Sequence, residues 1–161
     1  MRERLVRVGG WAVDQGDAVL VTLGLGSCVA LALYDPVARA GGLAHLLLPS
    51  PELARDRSNP ARFPQTAVPL LLAELAALGG ERSRLTARLV GGASMFGGTR
   101  GAPGPAAMGE RNVAATREVL AAARLPVAGE DVLGAHGRSV YFFLGDGRLE
   151  VRTVAHGSTV L

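Results

Sequence analysis

The stretch Leu23-Gly-Leu-Gly-Ser-Cys28 decides the fold, because it separates two short apolar runs with a glycine-rich turn. The first apolar run is residues 18–23, before the turn, and the second is residues 28–34, after it. Each run predicts a buried strand, since it is short, apolar and bounded by turn residues. A turn follows from Asp35 to Gly42. The sequence therefore predicts two buried strands, consecutive along the chain, as part of the core.

Beyond this region, strands outnumber helices, and the two predicted helices fall in the middle of the chain. We predict strands over 43–48 and 85–90, short strands within 127–154, helices over about 66–78 and 111–124, and a proline-rich surface loop over 49–64. This order favours an α+β fold with layered, mostly antiparallel or mixed sheets over a doubly wound parallel fold.

Length and composition exclude several classes of protein. The 161 residues fit one domain, 1–161, with its core over about 10–154. The net charge is only +3, every basic residue is a scattered Arg, and aromatic residues make up 4%, which argues against a nucleic-acid-binding surface. No apolar run is long enough to enter a membrane and no signal peptide is evident, so we expect a cytoplasmic protein.

Cys28 is the single cysteine and the first candidate for chemistry. It lies where the glycine-rich turn meets a strand, and backbone N–H groups around Gly26 and Ser27 could line an oxyanion site there. A thiolate at this place is a competent nucleophile if a base ionises it. The alternative is a buried cysteine that only fills space. A lone cysteine and three separated histidines predict no metal site, and we expect no cofactor.

His45 is the histidine nearest to Cys28, in the next predicted strand. A hairpin turn centred between Pro36 and Val37 would place the two residues directly opposite each other, whereas a turn centred on Ala38 would offset them by three positions. The spacing permits a Cys–His pair, and the alternative is a core histidine.

Three further polar residues have weaker signals. Thr22, in the preceding strand, could accept the second imidazole N–H and fix the histidine tautomer. Its alternative role is ordinary strand propensity. His136 and His156 lack any partner pattern, so we expect both to be solvated.

Several segments together resemble a known family. They are Leu23–Cys28, Tyr34-Asp-Pro36, Gly41-Gly-Leu-Ala-His45, Leu48-Pro49, Gly91-Gly-Ala-Ser-Met-Phe96, Gly109-Glu-Arg-Asn112 and Gly137-Arg138. In this order and spacing they resemble the CheD family of chemoreceptor glutamine deamidases, over roughly residues 10–152.

The resemblance implies a fold, an activity and partners. It implies a three-layer α/β/β sandwich and a catalytic triad with Cys28 as nucleophile, His45 as base and Thr22 orienting the histidine. Family members convert glutamine side chains of methyl-accepting chemotaxis receptors to glutamate, and many bind the phosphatase CheC. The rival readings are a non-catalytic adaptor for receptor or CheC, and a receptor methylesterase that uses the same triad.

The sequence departs from the family pattern in two loops. Leu133-Gly134-Ala-His136 stands before Gly137-Arg138 where the family usually has Gly-Gly, and Gly97–Ala107 is unusually rich in Gly and Pro. These departures affect expected partner contacts more than the expected triad.

Overall fold

The computed structural model describes residues 1–94 and 105–161, with the side chains of 105–107 left out. The strands of this part of the chain are β1 (Arg2–Leu5), β2 (Trp11–Gln15), β3 (Ala18–Leu25), β4 (Val29–Asp35), β5 (Ala40–Leu46), β6 (Thr86–Gly91), β7 (Val127–Val132), β8 (Arg138–Phe143), β9 (Leu149–Arg152) and β10 (Ser158–Val160). Its helices are α1 (Pro64–Ala77) and α2 (Pro105–Ala122), with short 3-10 turns at Pro51–Leu53, Pro60–Arg62 and Arg82–Arg84.

The strands form two five-stranded mixed sheets. The inner sheet has the order β2-β5-β4-β6-β7, and the outer sheet has the order β1-β3-β8-β9-β10. Pairing is antiparallel except between β1 and β3 and between β6 and β7. The predicted α+β fold with mixed sheets and two main helices is therefore confirmed.

Burial explains the order of the layers. Every residue of β4 and β5 is buried, whereas β8 alternates between buried and half-buried positions. A strand covered on both faces can be apolar throughout, but a strand with one face toward water must alternate. The inner sheet accordingly packs one face on α1 and α2 and the other on the outer sheet, which makes three layers.

A buried carboxylate sets the turn between β4 and β5. Asp35 Oδ1 accepts hydrogen bonds from the backbone N–H groups of Val37 (2.9 Å) and Ala38 (3.1 Å), and Arg39 closes the turn in the left-handed region at φ 51°. The Arg84 guanidinium donates to the same carboxylate at 2.9 Å. These contacts pair Asp35 with Ala40 and so fix the register of the hairpin.

Neither register predicted for this hairpin is right. Ala30, not Cys28 or Leu31, lies opposite His45, so Cys28 and His45 are offset by two positions. The turn centre lies between Val37 and Ala38 because the Asp35 contacts select it. An even offset keeps Cys28 and His45 on one face of the sheet, whereas the predicted offset of three would have separated them.

Gly41 allows the two sheets to approach closely on the face of β5 that also carries His45. A Cβ atom at Gly41 would lie 2.6 Å from Leu144 Cδ2 and 3.0 Å from the Phe142 ring of the outer sheet. Such distances are too short for carbon atoms, so a side chain at this position would force the layers apart. Gly41, Leu43 and His45 alternate onto the same face of β5, which is the face toward the outer sheet.

The remaining differences from the sequence prediction lie near the ends and in loops. Strands β1, β2 and β10 were not predicted. Arg2–Leu5 and Ser158–Val160 are exposed throughout, and Trp11–Gln15 is short and mixed. The 49–64 segment is anchored by the buried side chain of Phe63. Most of the Gly97–Ala107 departure, together with Met95 and Phe96, lies outside the described residues. No helix in the described part of the chain is long and apolar enough to span a membrane.

Replacing Asp35 with Asn should lower the free energy of unfolding by about 3 kcal/mol at neutral pH, because it removes one partner of a buried ion pair. The Arg84 guanidinium and three backbone N–H groups hold the pKa of Asp35 well below its usual range, against the opposing effect of burial. Its contribution is therefore complete above the unfolded pKa of about 4 and is lost as the pH falls toward the folded value.

Chemical denaturation at pH 7 and at a series of pH values below 4 measures this effect. The difference in the free energy of unfolding between wild type and Asp35→Asn should become smaller as the pH is lowered. Asp17→Asn, at an exposed carboxylate, is the matched control and should change stability by less than about 0.5 kcal/mol. An Asp35→Asn protein as stable as the control would contradict this account of the turn.

Candidate active site

Cys28 and His45 share the space between the two sheets. His45 is 1% exposed on β5, and Cys28 lies immediately before β4 on the same face, packed against the core between the sheets. Residues related diagonally in this way on paired strands are roughly 7–8 Å apart at Cα. The thiol is half-buried, so it lies at the rim of this core.

A buried threonine joins the outer sheet to His45. Thr22 Oγ1 on β3 lies 2.7 Å from His45 Nδ1 and donates at 2.6 Å to the backbone carbonyl of Val6. A hydroxyl has a single hydrogen and a carbonyl can only accept, so the Thr22 hydrogen is used on Val6. Thr22 must therefore accept from His45, which places the imidazole hydrogen on Nδ1.

The other ring nitrogen of His45 is consequently a free base. Nε2 is buried and has no hydrogen-bond partner among the described residues. Burial lowers the pKa of His45 to about 4, so the ring is neutral at physiological pH. A buried polar atom without a partner costs about 1–3 kcal/mol, so this lone pair is retained at a cost to stability.

The thiol is neutral as well. Burial raises the pKa of Cys28, and the hydrogen bond from its own backbone N–H opposes that effect. The resting pair is thus a thiol and an uncharged imidazole rather than an ion pair. Charge would develop only when a reacting group enters the site.

Three hydrogen bonds hold the loop that carries Cys28. The carbonyl of Gly26 accepts from Ala93 N (2.9 Å), that of Ser27 from Asn112 Nδ2 (2.9 Å), and that of Cys28 from Gly92 N (2.8 Å). All three carbonyl oxygens of this loop are therefore bound to residues that lie behind it. Because the N–H of a trans peptide points opposite to its carbonyl, the N–H groups of Ser27 and Cys28 face away from these partners.

Gly91 and Gly92 allow this tight support of the loop. A Cβ atom at Gly91, where φ is 113°, would fall 2.3 Å from the Cys28 carbonyl oxygen. A Cβ atom at Gly92, where φ is 67°, would fall equally close to a Val113 methyl group on α2. A side chain at Gly91 would displace the Cys28 loop, and one at Gly92 would displace α2.

Sequence reasoning missed several residues that position the site. Val6 supplies the carbonyl that orients Thr22, and Gly9 and Gly10 exchange backbone hydrogen bonds with His45 at 3.0 Å. The role of Asn112 was also missed. These contacts connect distant parts of the chain, and the sequence pattern offers no local signal for them.

Of the other two histidines, His156 is exposed as expected, whereas His136 is half-buried, and the two rings lie against each other. The rings of His136 and His156 lie with centroids 4.3 Å apart on the surface. Within residues 1–94 and 105–161, no three His, Cys, Asp or Glu side chains are grouped so that they could hold a metal ion.

Comparison with known proteins identifies the family. Residues 47–153 match the family model described as CheD chemotactic sensory transduction. The chain belongs to the CheD family. The resemblance of its motifs to CheD proteins is thereby confirmed. The family model begins after Thr22, Cys28 and His45, so similarity in that region rests on whole-length relatives.

Those relatives match the chain nearly from end to end. A protein of Caldanaerobacter subterraneus is 40% identical over 98% of this chain and 98% of its own length. A protein of Pyrococcus horikoshii is 39% identical over 99% of this chain and 98% of its own length. One from Desulforamulus reducens is 41% identical, over 92% and 89% respectively. Each of these CheD relatives carries the name "Probable chemoreceptor glutamine deamidase CheD".

The hydrogen-bond geometry predicts the protonation of His45. Nitrogen-15 NMR of the imidazole at pH 7 should show a neutral ring with its hydrogen on Nδ1, and the ring should titrate with a pKa of about 4. In Thr22→Val, which keeps the shape but removes the acceptor, the Nδ1 tautomer should lose its dominance. A wild-type ring with its hydrogen on Nε2, or one that titrates near 6.5, would contradict the assignment.

Proposed function

We propose that this chain is a chemoreceptor glutamine deamidase, with Cys28 as the nucleophile, His45 as the base and Thr22 as the residue that orients His45. Membership of the CheD family and the names of the whole-length relatives support the activity. The observation that carries the mechanism is Nε2 of His45, which has no partner among the described residues and lies on the same face as the Cys28 thiol.

The first half of the reaction forms a thioester. As the carboxamide carbon of a receptor glutamine meets Cys28 Sγ, the thiol hydrogen passes to His45 Nε2 and the sulfur–carbon bond forms. The amide oxygen becomes an oxyanion, which the N–H groups of Ser27 and Cys28 stabilise. His45 then gives its Nε2 proton to the amide nitrogen, the carbon–nitrogen bond breaks and ammonia leaves.

The second half restores the enzyme. Water gives a proton to Nε2 and attacks the thioester carbon, the carbon–sulfur bond breaks, and the proton returns to Cys28. The sum is glutamine plus water giving glutamate plus ammonia, with no external cofactor. Thr22 keeps the Nδ1 hydrogen in place throughout, and it stabilises the imidazolium that forms transiently on His45.

The neutral resting state fits this order of events. Because the pKa of the thiol is raised and the pKa of the imidazole is lowered, neither group is charged before substrate binds. Substrate binding would exclude water and bring the thiol toward Nε2, since catalytic hydrogen bonds often form only in the complex. The glutamine then provides the atom on which charge can develop.

The substrate of this proposal is a glutamine on a chemotaxis receptor, and its product can afterwards be methylated. This places the chain in chemotactic adaptation, with CheC as a further partner through the family resemblance. An open groove of about 520 Å³ lies beside the β3 bulge at Gly24, with Arg152 along it stacked on Tyr141 at 3.6 Å. Both arginines of the groove are paired with carboxylates, Arg152 with Glu150 at 3.3 Å and Arg138 with Asp131 at 3.0 Å, so the groove offers a concave surface rather than free positive charge.

A non-catalytic adaptor explains the site less well. Such a protein could share a half-buried cysteine, but it would have no use for a buried base without a partner. An apolar residue at His45 would avoid the cost of the unpaired Nε2. A methylesterase would use the same three residues, so only a measurement of both reactions distinguishes amide from ester hydrolysis.

Mass spectrometry of a receptor cytoplasmic fragment from the same organism tests the proposal. Incubation with wild type should convert specific glutamines to glutamates, whereas Cys28→Ala should leave them unchanged because no other thiol is present in the chain. A fragment carrying glutamyl methyl esters at the same positions measures esterase activity in parallel.

Ser27→Ala is the matched control, since its backbone N–H is retained, and it should deamidate within about threefold of wild type. Deamidation by Cys28→Ala would overturn the covalent mechanism. Loss of methyl esters without loss of amides would replace the deamidase by an esterase. Binding of the fragment with neither reaction would support the adaptor.

A further inference from the structure

Asn112 connects the two halves of the catalytic pair. It lies on α2, is 1% exposed, and its Nδ2 donates to the carbonyl of Ser27 at 2.9 Å and to that of Leu47 at 3.2 Å. Ser27 precedes the nucleophile, and Leu47 follows closely after His45 at the end of β5. One buried side chain therefore fixes the loop of the thiol relative to the strand of the base.

The orientation of this amide follows from its partners. Both carbonyls can only accept, so the nitrogen must face them and the oxygen must face the other way. Oδ1 is buried there without a partner among the described residues. An apolar side chain would avoid that cost, but it could not donate to Ser27.

The bond to Ser27 differs in kind from the other two bonds that hold the loop. Gly26 and Cys28 are held by the backbone N–H groups of residues 92–93, which no substitution other than proline removes. The Ser27 carbonyl depends on a side chain. Its peptide unit also contains the N–H of Cys28, which points opposite to the carbonyl and lies within reach of its own sulfur.

The backbone around Asn112 is held rigidly enough to set this peptide. A Cβ atom at Gly109 would lie 2.5 Å from the carbonyl oxygens of Gly92 and Ala93, so α2 packs directly on the segment that supports the loop. Thr116, one turn further along the helix, donates to the Asn112 carbonyl at 2.7 Å. Asn112 thus presents its amide from a fixed position.

We propose that Asn112 is a positioning residue for the oxyanion site: it holds the Ser27–Cys28 peptide so that the Cys28 N–H faces the reacting carbonyl oxygen. This inference rests on the covalent mechanism proposed above. Asn112 does not touch the substrate, and it acts through the peptide that does. Without Asn112, the Ser27–Cys28 peptide can rotate and the Cys28 N–H no longer points at the reacting carbonyl oxygen, although the thiol and His45 remain in place.

Two reactions of Cys28 separate this role from general damage to the fold. Iodoacetamide alkylates the thiol by displacing iodide from a saturated carbon, and no oxyanion forms. Acylation by p-nitrophenyl acetate passes through a tetrahedral oxyanion and releases p-nitrophenolate. Both reagents are small, and Cys28 is the single cysteine of the chain, with Cys28→Ala as the blank for each.

In Asn112→Ala we expect the rate of acylation to fall by at least about tenfold. Removing an oxyanion donor lowers kcat by a factor of roughly 10²–10³, and a misaligned donor loses part of that stabilisation. Alkylation should stay within about twofold of wild type. Leu120→Val, which removes buried packing further along the same helix and makes no contact with Asn112 that the proposal uses, is the matched control and should keep both rates. If Asn112→Ala does not fold, Asn112→Ser provides the same comparison with a smaller cavity.

Unchanged acylation in a folded Asn112 variant would overturn the proposal, and so would an equal loss of both reactions. The test does not require a receptor. Wild type that is acylated at Cys28 but leaves receptor glutamines unchanged would overturn the proposed substrate and keep the role of Asn112. Wild type that is alkylated but never acylated would overturn both proposals.

Discussion

The site depends on one hydroxyl group, that of Thr22, held between the Val6 carbonyl and His45 Nδ1. Because its single hydrogen goes to Val6, it can only accept from the imidazole, and this fixes where His45 carries its proton. The bond also crosses from the outer sheet to the inner sheet. The packing of the two sheets and the chemistry of the histidine are therefore set by the same contact, and the close approach at Gly41 makes that contact possible.

Around this contact the fold places polar groups at a cost to stability. Nε2 of His45 and Oδ1 of Asn112 are both buried without partners among the described residues. Such groups are rare in protein interiors, and they concentrate where a function requires them. Both belong to the network that surrounds Cys28, whereas the interior on either side is closely packed apolar sheet and helix. This contrast separates the proposed active site from the structural core.

Local patterns predicted the elements near Cys28 well, because apolar runs between glycines leave few alternatives to buried strands. The register of the β4–β5 hairpin could not be predicted, since it depends on Asp35 contacting Arg84, far along the chain. That register decides whether Cys28 and His45 share a face. The first two strands were missed because their stability comes from pairing with β3 and β5, not from their own sequence. Asn112 lies in one of the family-like segments, but no local pattern shows its contact with Ser27, which exists only once α2 packs behind the Cys28 loop.

In the proposed mechanism Thr22 acts on the reaction only through His45, and a double-mutant cycle on receptor deamidation tests this dependence most directly. Rates are compared among wild type, Thr22→Val, His45→Asn and the double variant. The account predicts that Thr22→Val slows the wild type by at least about tenfold but adds nothing once His45 is replaced, since residues that act as a unit are not additive. Full additivity of the two losses would contradict it, because Thr22 would then contribute by a route that does not involve the histidine.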